Sequence, residues 1–150
     1  MRGDSSTENS LFSNSVVYQL PHTGNVQEGI SYVDDARVFD IYFPEQVESP
    51  VPVVVLVTGY PDPEFEERVG MKQMQVQAYR DWAKLLAASG MAAVIYSNVE
   101  PVEDAFILLD FLRSKAGELQ IDPARIAVWS CSGNVPNAIN ILYKDSAVRC

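Results

Sequence analysis

The segment Ser130-Cys131-Ser132-Gly133-Asn134 carries the residues best suited to chemistry. It follows a β-branched, apolar stretch at residues 125–129. A helical stretch starts at Gly133, with apolar positions at Ala138, Ile139, Ile141 and Leu142. A strand that enters a helix through so short a connection must turn tightly at Ser132. Such a turn lifts a hydroxyl above the carboxyl end of a sheet, and the helix start behind it stabilises negative charge. The turn demands small residues two before and two after the serine. Ser130 meets the first demand, and Asn134 meets the second imperfectly, since glycine suits that place better. Gly133 leaves its backbone N–H open to a developing oxyanion. The chemistry this arrangement offers is nucleophilic attack by Ser132 with a stabilised tetrahedral intermediate.

Two other readings compete for these residues. Cys131 is a rival nucleophile, but moving the frame by one puts bulky Trp129 where a small residue is needed. Strand alternation also turns Cys131 the other way. A serine ahead of a helix can act simply as its N-cap. The buried strand and the lead-in Asp122-Pro123-Ala124-Arg125-Ile126 favour the reactive turn over the cap. A second loop, Thr58-Gly59-Tyr60-Pro61-Asp62, also ends a buried strand, and the backbone N–H of Tyr60 is the candidate second oxyanion donor.

The elements that position these loops follow from periodicity. Residues 26–33 have a strand-like mix, Asp34-Asp35 reads as a turn, and residues 36–43 alternate until Pro44 stops them. The pair predicts an antiparallel hairpin at a sheet edge. Residues 51–57, 91–96 and 125–129 are apolar on both faces, which suits buried parallel strands. Residues 75–89 have helical spacing and end at Gly90, and Pro101 opens a second helix through Val102, Ala105, Phe106, Leu109 and Leu112. Ile121-Asp122-Pro123 is expected to break that helix. Strand and helix in alternation predict a mostly parallel sheet with crossover helices, its three buried strands adjacent and Ser132 at their carboxyl end. Residues 146–150 look like the opening of another strand.

Composition narrows the function classes. The formal net charge of −9 argues against nucleic acid and anionic membrane as partners. No transmembrane stretch and no secretory signal are visible, so the expected compartment is the cytoplasm. One histidine, two cysteines and no CxxC or HExxH give no basis for a metal site, and no cofactor is expected. The absence of GxGxxG and GxxxxGK[ST] weakens a nucleotide-binding reading. Residues 1–15 are polar and expected to form a flexible tail, with residues 16–150 forming part of a single domain.

The order of strand, Thr58-Gly59-Tyr60-Pro61-Asp62 loop, helix, strand, helix, Asp122-Pro123-Ala124-Arg125-Ile126 strand and Ser130-Cys131-Ser132-Gly133 turn resembles the α/β-hydrolase superfamily. The nearest likeness is to dienelactone-hydrolase-like and acyl-peptidase-like esterases, and it spans residues 26–150. The resemblance implies a nucleophile elbow at Ser132, oxyanion donors at Tyr60 and Gly133, and hydrolysis of a small-molecule carboxylic ester through an acyl-enzyme. Asn134 departs from the usual glycine, and Thr58 stands where many members have histidine. True dienelactone hydrolases use cysteine where this chain has Ser132. In the superfamily the acid and histidine follow the nucleophile. Eighteen residues follow Ser132, with Asp145 as the one acid and no histidine, while His22 precedes the first strand. The sheet is therefore expected to be incomplete after the elbow, and the chain to be a truncated and inactive piece of a serine hydrolase. The alternative is a non-catalytic interaction module that self-associates through its open sheet edge. Reading the gene past Cys150 separates the two.

Overall fold

The computed structural model describes residues 12–16, 18–47 and 50–149. The first two strands, β1 (Val26–Ser31) and β2 (Val38–Tyr42), form the antiparallel hairpin, with Asp34 accepting the N–H groups of Ala36 and Arg37 in the turn. A bulge in β1 falls at Gly29, whose N–H donates to Asp40 at 2.8 Å. After them come β3 (Val51–Leu56), helix α1 (Asp62–Val69), a 3₁₀ turn at Gln73–Gln75, α2 (Gln77–Ala88) and β4 (Ala92–Tyr96). Helices α3 (Pro101–Ser114) and α4 (Ala116–Leu119) lead to β5 (Ile121–Trp129). A 3₁₀ turn at Ser132–Asn134, α5 (Val135–Lys144) and the two-residue β6 (Val148–Arg149) complete the described chain.

The six strands form one sheet in the order β1-β2-β4-β3-β5-β6. β2 meets β4 antiparallel, while β4, β3, β5 and β6 run parallel. The three buried strands are thus adjacent, as their β-branched runs predict. Alternation sorts their side chains between two cores. Phe39, Ile41, Val53, Val55, Val94, Tyr96, Ile126 and Val128 face α3 and α5, with Leu108, Leu109, Leu112 and Ile141 closing that layer. Tyr42, Leu56, Ala93, Ile95 and Trp129 face α2, against Tyr79, Trp82 and Ala83.

Three details differ from the sequence reading. Helix α1 begins where the β3 loop is expected to continue and runs through residues given no element there; it has Pro63 and the acids Asp62 and Glu64 in its first turn and a left-handed Gly70 at its end. β5 begins at Ile121, four residues before the apolar run, because Pro123 sits beside a register shift opposite residues 51–53 where no ladder N–H is needed. Part of the segment read as a tail packs: the Phe12 ring meets Phe65 edge-on at 5.9 Å. Residues 1–11 and Cys150 lie outside the described residues. Among the described residues no helix is long and apolar enough to cross a membrane.

Candidate functional site

The chain leaves β3 toward β4 on one side, through α2, and leaves β5 toward β6 on the other, through α5. Since β3 and β5 are neighbours, their carboxyl ends open a crevice between diverging connections. In open parallel sheets such a crevice is the usual binding place. Residues 58–60 form one wall of it and residues 130–134 the other.

Ser132 stands at the turn of the second wall. Its φ is +53°, one of two positive values among described residues other than glycine, while Cys131 before it is fully extended at φ −140°. The left-handed conformation crowds a Cβ against the backbone and is sparsely used without cause. Ser132 and Gly133 are exposed; Asn134 is buried. The side chain of Tyr60 lies over Gly133, where any Cβ would overlap its phenol. The three residues singled out from the sequence, Ser132, Gly133 and Tyr60, therefore meet at one place.

The β3 loop is held by side chains from three directions. Val57 N–H donates to the Trp129 carbonyl at 2.8 Å, Thr58 N–H to the Tyr96 hydroxyl at 3.3 Å, and Gly59 N–H to Asn134 Oδ1 at 2.8 Å. Asn98 Nδ2 donates to Thr58 Oγ1 at 2.9 Å and to the Tyr60 carbonyl at 3.1 Å. Asn137 Nδ2 donates to the carbonyls of Thr58 and Pro101, both at 2.8 Å. Asp62 N–H closes the loop on the Asn98 carbonyl. Pro61 has no N–H to satisfy. Among the described residues this leaves the Tyr60 N–H as the donor of the loop without an acceptor, and the Gly133 N–H likewise has none.

No family model and no curated protein matches the chain. Solved structures do. An arylesterase shares 19% identity over 97% of this chain and 48% of its own, with a TM-score of 0.65. An inhibited esterase B from Lactobacillus rhamnosis shares 14% over 97% of this chain and 50% of its own, at 0.67. MGS-M1, an α/β-hydrolase enzyme from a Medee basin deep-sea metagenome library, shares 19% over 70% and 45%, at 0.52. The chain has the α/β-hydrolase fold. It spans about half the length of these structures or less.

Within this α/β-hydrolase sheet the titratable groups separate into those near the crevice and those far from it. His22 is far. Its Nε2 meets the Phe43 carbonyl at 2.8 Å, and Tyr42 just before it pairs with Ala93 at the amino end of β4, the opposite end from Ser132. Asp145 also lies away from it, at the far end of α5, paired with Arg113 at 2.6 Å. Two buried carboxylates are near, but both are already engaged. Asp62 accepts the N–H groups of Gln73 and Asn98, each at 2.9 Å, and Asp104 accepts those of Val99 and Glu100 and pairs with Arg37 at 3.4 Å. Burial raises the Asp62 carboxyl above its ordinary value, partly offset by its two N–H donors. Burial pushes the Tyr96 phenol up to about 12, so it stays neutral against Thr58. Cys131 turns toward Tyr79 on α2, and burial raises its thiol despite that hydroxyl's help. A raised thiol is a weaker source of thiolate.

Asn98, Asn134 and Asn137 are the site residues that sequence reasoning missed in their structural role. Asn134 registered there as a poor glycine. Asn98 and Asn137 carried no signal beyond a polar residue after an apolar run and one within a helix.

Proposed function

We propose that this chain carries the nucleophile and the oxyanion donors of a serine hydrolase that cleaves small-molecule carboxylic esters. The observation that carries the reading is Ser132 at φ +53° on a strand-to-helix turn, flanked by the two unpartnered N–H groups of Tyr60 and Gly133. A nucleophile elbow has this conformation because it alone exposes the hydroxyl above the sheet. In the proposed reaction Ser132 Oγ attacks the ester carbonyl carbon and its proton passes to a base. The carbonyl oxygen becomes an oxyanion held by the Tyr60 and Gly133 N–H groups. Collapse, with the base returning the proton to the leaving oxygen, expels the alcohol and leaves an acyl-Ser132 ester, which water then hydrolyses to the carboxylic acid and free Ser132. Each oxyanion donor contributes about 3 kcal/mol in the transition state.

The base is the part this chain does not bring to Ser132. The sole histidine faces the other end of the sheet. A serine without a base is a weak nucleophile at neutral pH. The 150-residue chain should therefore hydrolyse p-nitrophenyl acetate no faster than its Ser132→Ala variant. Turnover of about 1 s⁻¹ or more, lost in Ser132→Ala, would show a base within the chain and overturn that part. Where residues 1–150 belong to a longer protein that supplies histidine, a serine-directed phosphonate should label Ser132. An adduct on Cys131 instead would reverse the frame and assign a thiol nucleophile.

A further inference from the structure

Asn134 occupies the position, two after Ser132, where a residue without a side chain fits the turn most easily. The structure gives that side chain work. It is 7% exposed and lies between two elements that are distant in sequence. Its Oδ1 accepts the Gly59 N–H at 2.8 Å, and its Nδ2 donates to the Tyr79 hydroxyl on α2. The backbones themselves touch here. A Cβ on Gly59 would lie 3.0 Å from the Asn134 Cα and 3.1 Å from the Gly133 carbonyl oxygen, so a larger residue at 59 would push the two walls apart by a few tenths of an ångström. Tyr79 is buried too, so the bond it receives from Asn134 is shielded from water.

From this geometry we propose that Asn134 is a positioning residue, clamping the β3 loop to the Ser132 turn and so setting the spacing between the Tyr60 and Gly133 N–H groups. The proposal rests on the oxyanion reading above for its purpose, but the clamp itself is a separate claim. Gly59 N–H belongs to the peptide just before the one that carries the Tyr60 N–H. Fixing the first peptide at Asn134, and the Tyr60 carbonyl at Asn98, leaves the intervening peptide little freedom to rotate. Gly133 is bonded directly to Asn134, so the same side chain references both donors to one point. A glycine at residue 134 could not do this.

The test uses ¹⁵N-labelled 150-residue chain and two substitutions. Asn134→Ala removes both bonds. Tyr79→Phe keeps the ring and removes only the hydroxyl that holds Asn134, so it serves if the first variant folds poorly. In Asn134→Ala, Gly59 amide exchange should rise about fivefold or more, as expected for one lost neutral hydrogen bond, with the amides of β3 unmoved. Tyr79→Phe should give a smaller rise at the same amide, and Asn134→Asp, which keeps an acceptor, should restore protection. Equal Gly59 exchange in the parent, Asn134→Ala and Tyr79→Phe chains would overturn the clamp. Titration with methylphosphonate, a tetrahedral oxyanion, tests its purpose. The Tyr60 and Gly133 amides should shift together with one binding curve in the parent chain and bind several-fold more weakly in Asn134→Ala. Tyr60 and Gly133 amides that ignore methylphosphonate in the parent would overturn the oxyanion reading, while the exchange result would still decide the clamp.

Discussion

Replacing Ser132 by alanine and by glycine separates a left-handed turn from ordinary helical backbone without any enzymatic assay. At φ +53° the Cβ of residue 132 crowds the following carbonyl, at about 1–2 kcal/mol for a residue other than glycine. Alanine keeps that Cβ and loses only an exposed hydroxyl, so Ser132→Ala should change stability by less than about 0.5 kcal/mol. Glycine removes the crowding but adds freedom to the unfolded chain, at roughly 0.5–1 kcal/mol. The balance makes Ser132→Gly more stable than Ser132→Ala by about 0.5–1 kcal/mol. At a helix-interior position the same pair would differ by a similar amount in the other direction. The two geometries are therefore about 1.5 kcal/mol apart, or roughly 3–6 °C in Tm for a chain of this length. Urea titration followed by the Trp82–Trp129 pair, whose rings lie 4.4 Å apart across α2 and β5, reads the difference. A Ser132→Gly variant less stable than Ser132→Ala would refute the left-handed turn and with it the elbow.

Two further outcomes concern charges away from the nucleophile. Burial holds the Asp62 proton more tightly in the folded chain than in the unfolded one, so the stability linked to this group is full below its ordinary value of 3.8 and falls as pH rises through the folded value. Asp62→Asn should flatten the loss of stability with rising pH in that window, measured as urea midpoints; the raised Asp40 carboxyl, which runs the same way, keeps some slope. An unchanged slope would show that Asp62 is not what titrates. Arg113 and Asp145, whose side chains are 26% and 16% exposed, form an ion pair rather than an aligned hydrogen bond. A double-mutant cycle to alanine should give a coupling of about 1 kcal/mol, weakening with salt.

The parts of the fold that could be read from sequence are those set by local chemistry. Residues 51–57 are apolar on both faces because both cores need them, and Gly90, at φ +88°, ends α2 because the turn there is left-handed. Helix α1 escaped because its apolar signal is nearly absent: Asp62 is its buried residue, and Glu64, Glu66, Glu67 and Arg68 face solvent. The place of Ser132 and Tyr60 at the strand ends was legible because strand ends and tight turns leave marks within a few residues. Asn134 could not be understood that way. Its partners Gly59 and Tyr79 lie 75 and 55 residues back, and only a closed sheet brings them together.

The asparagine bonds carry a kinetic consequence. Those from Asn98 and Asn137 to Thr58 span 40 and 79 residues, and the one from Gly59 to Asn134 spans 75. Each such contact must wait for a long loop to close, and contacts of that separation slow folding. The hairpin of β1 and β2 can form early from neighbouring residues, whereas the crevice can exist only after β5 has docked beside β3. In refolding, the Gly59 amide should gain protection together with the β5 amides and after those of the hairpin, making the crevice one of the last features of the fold to form.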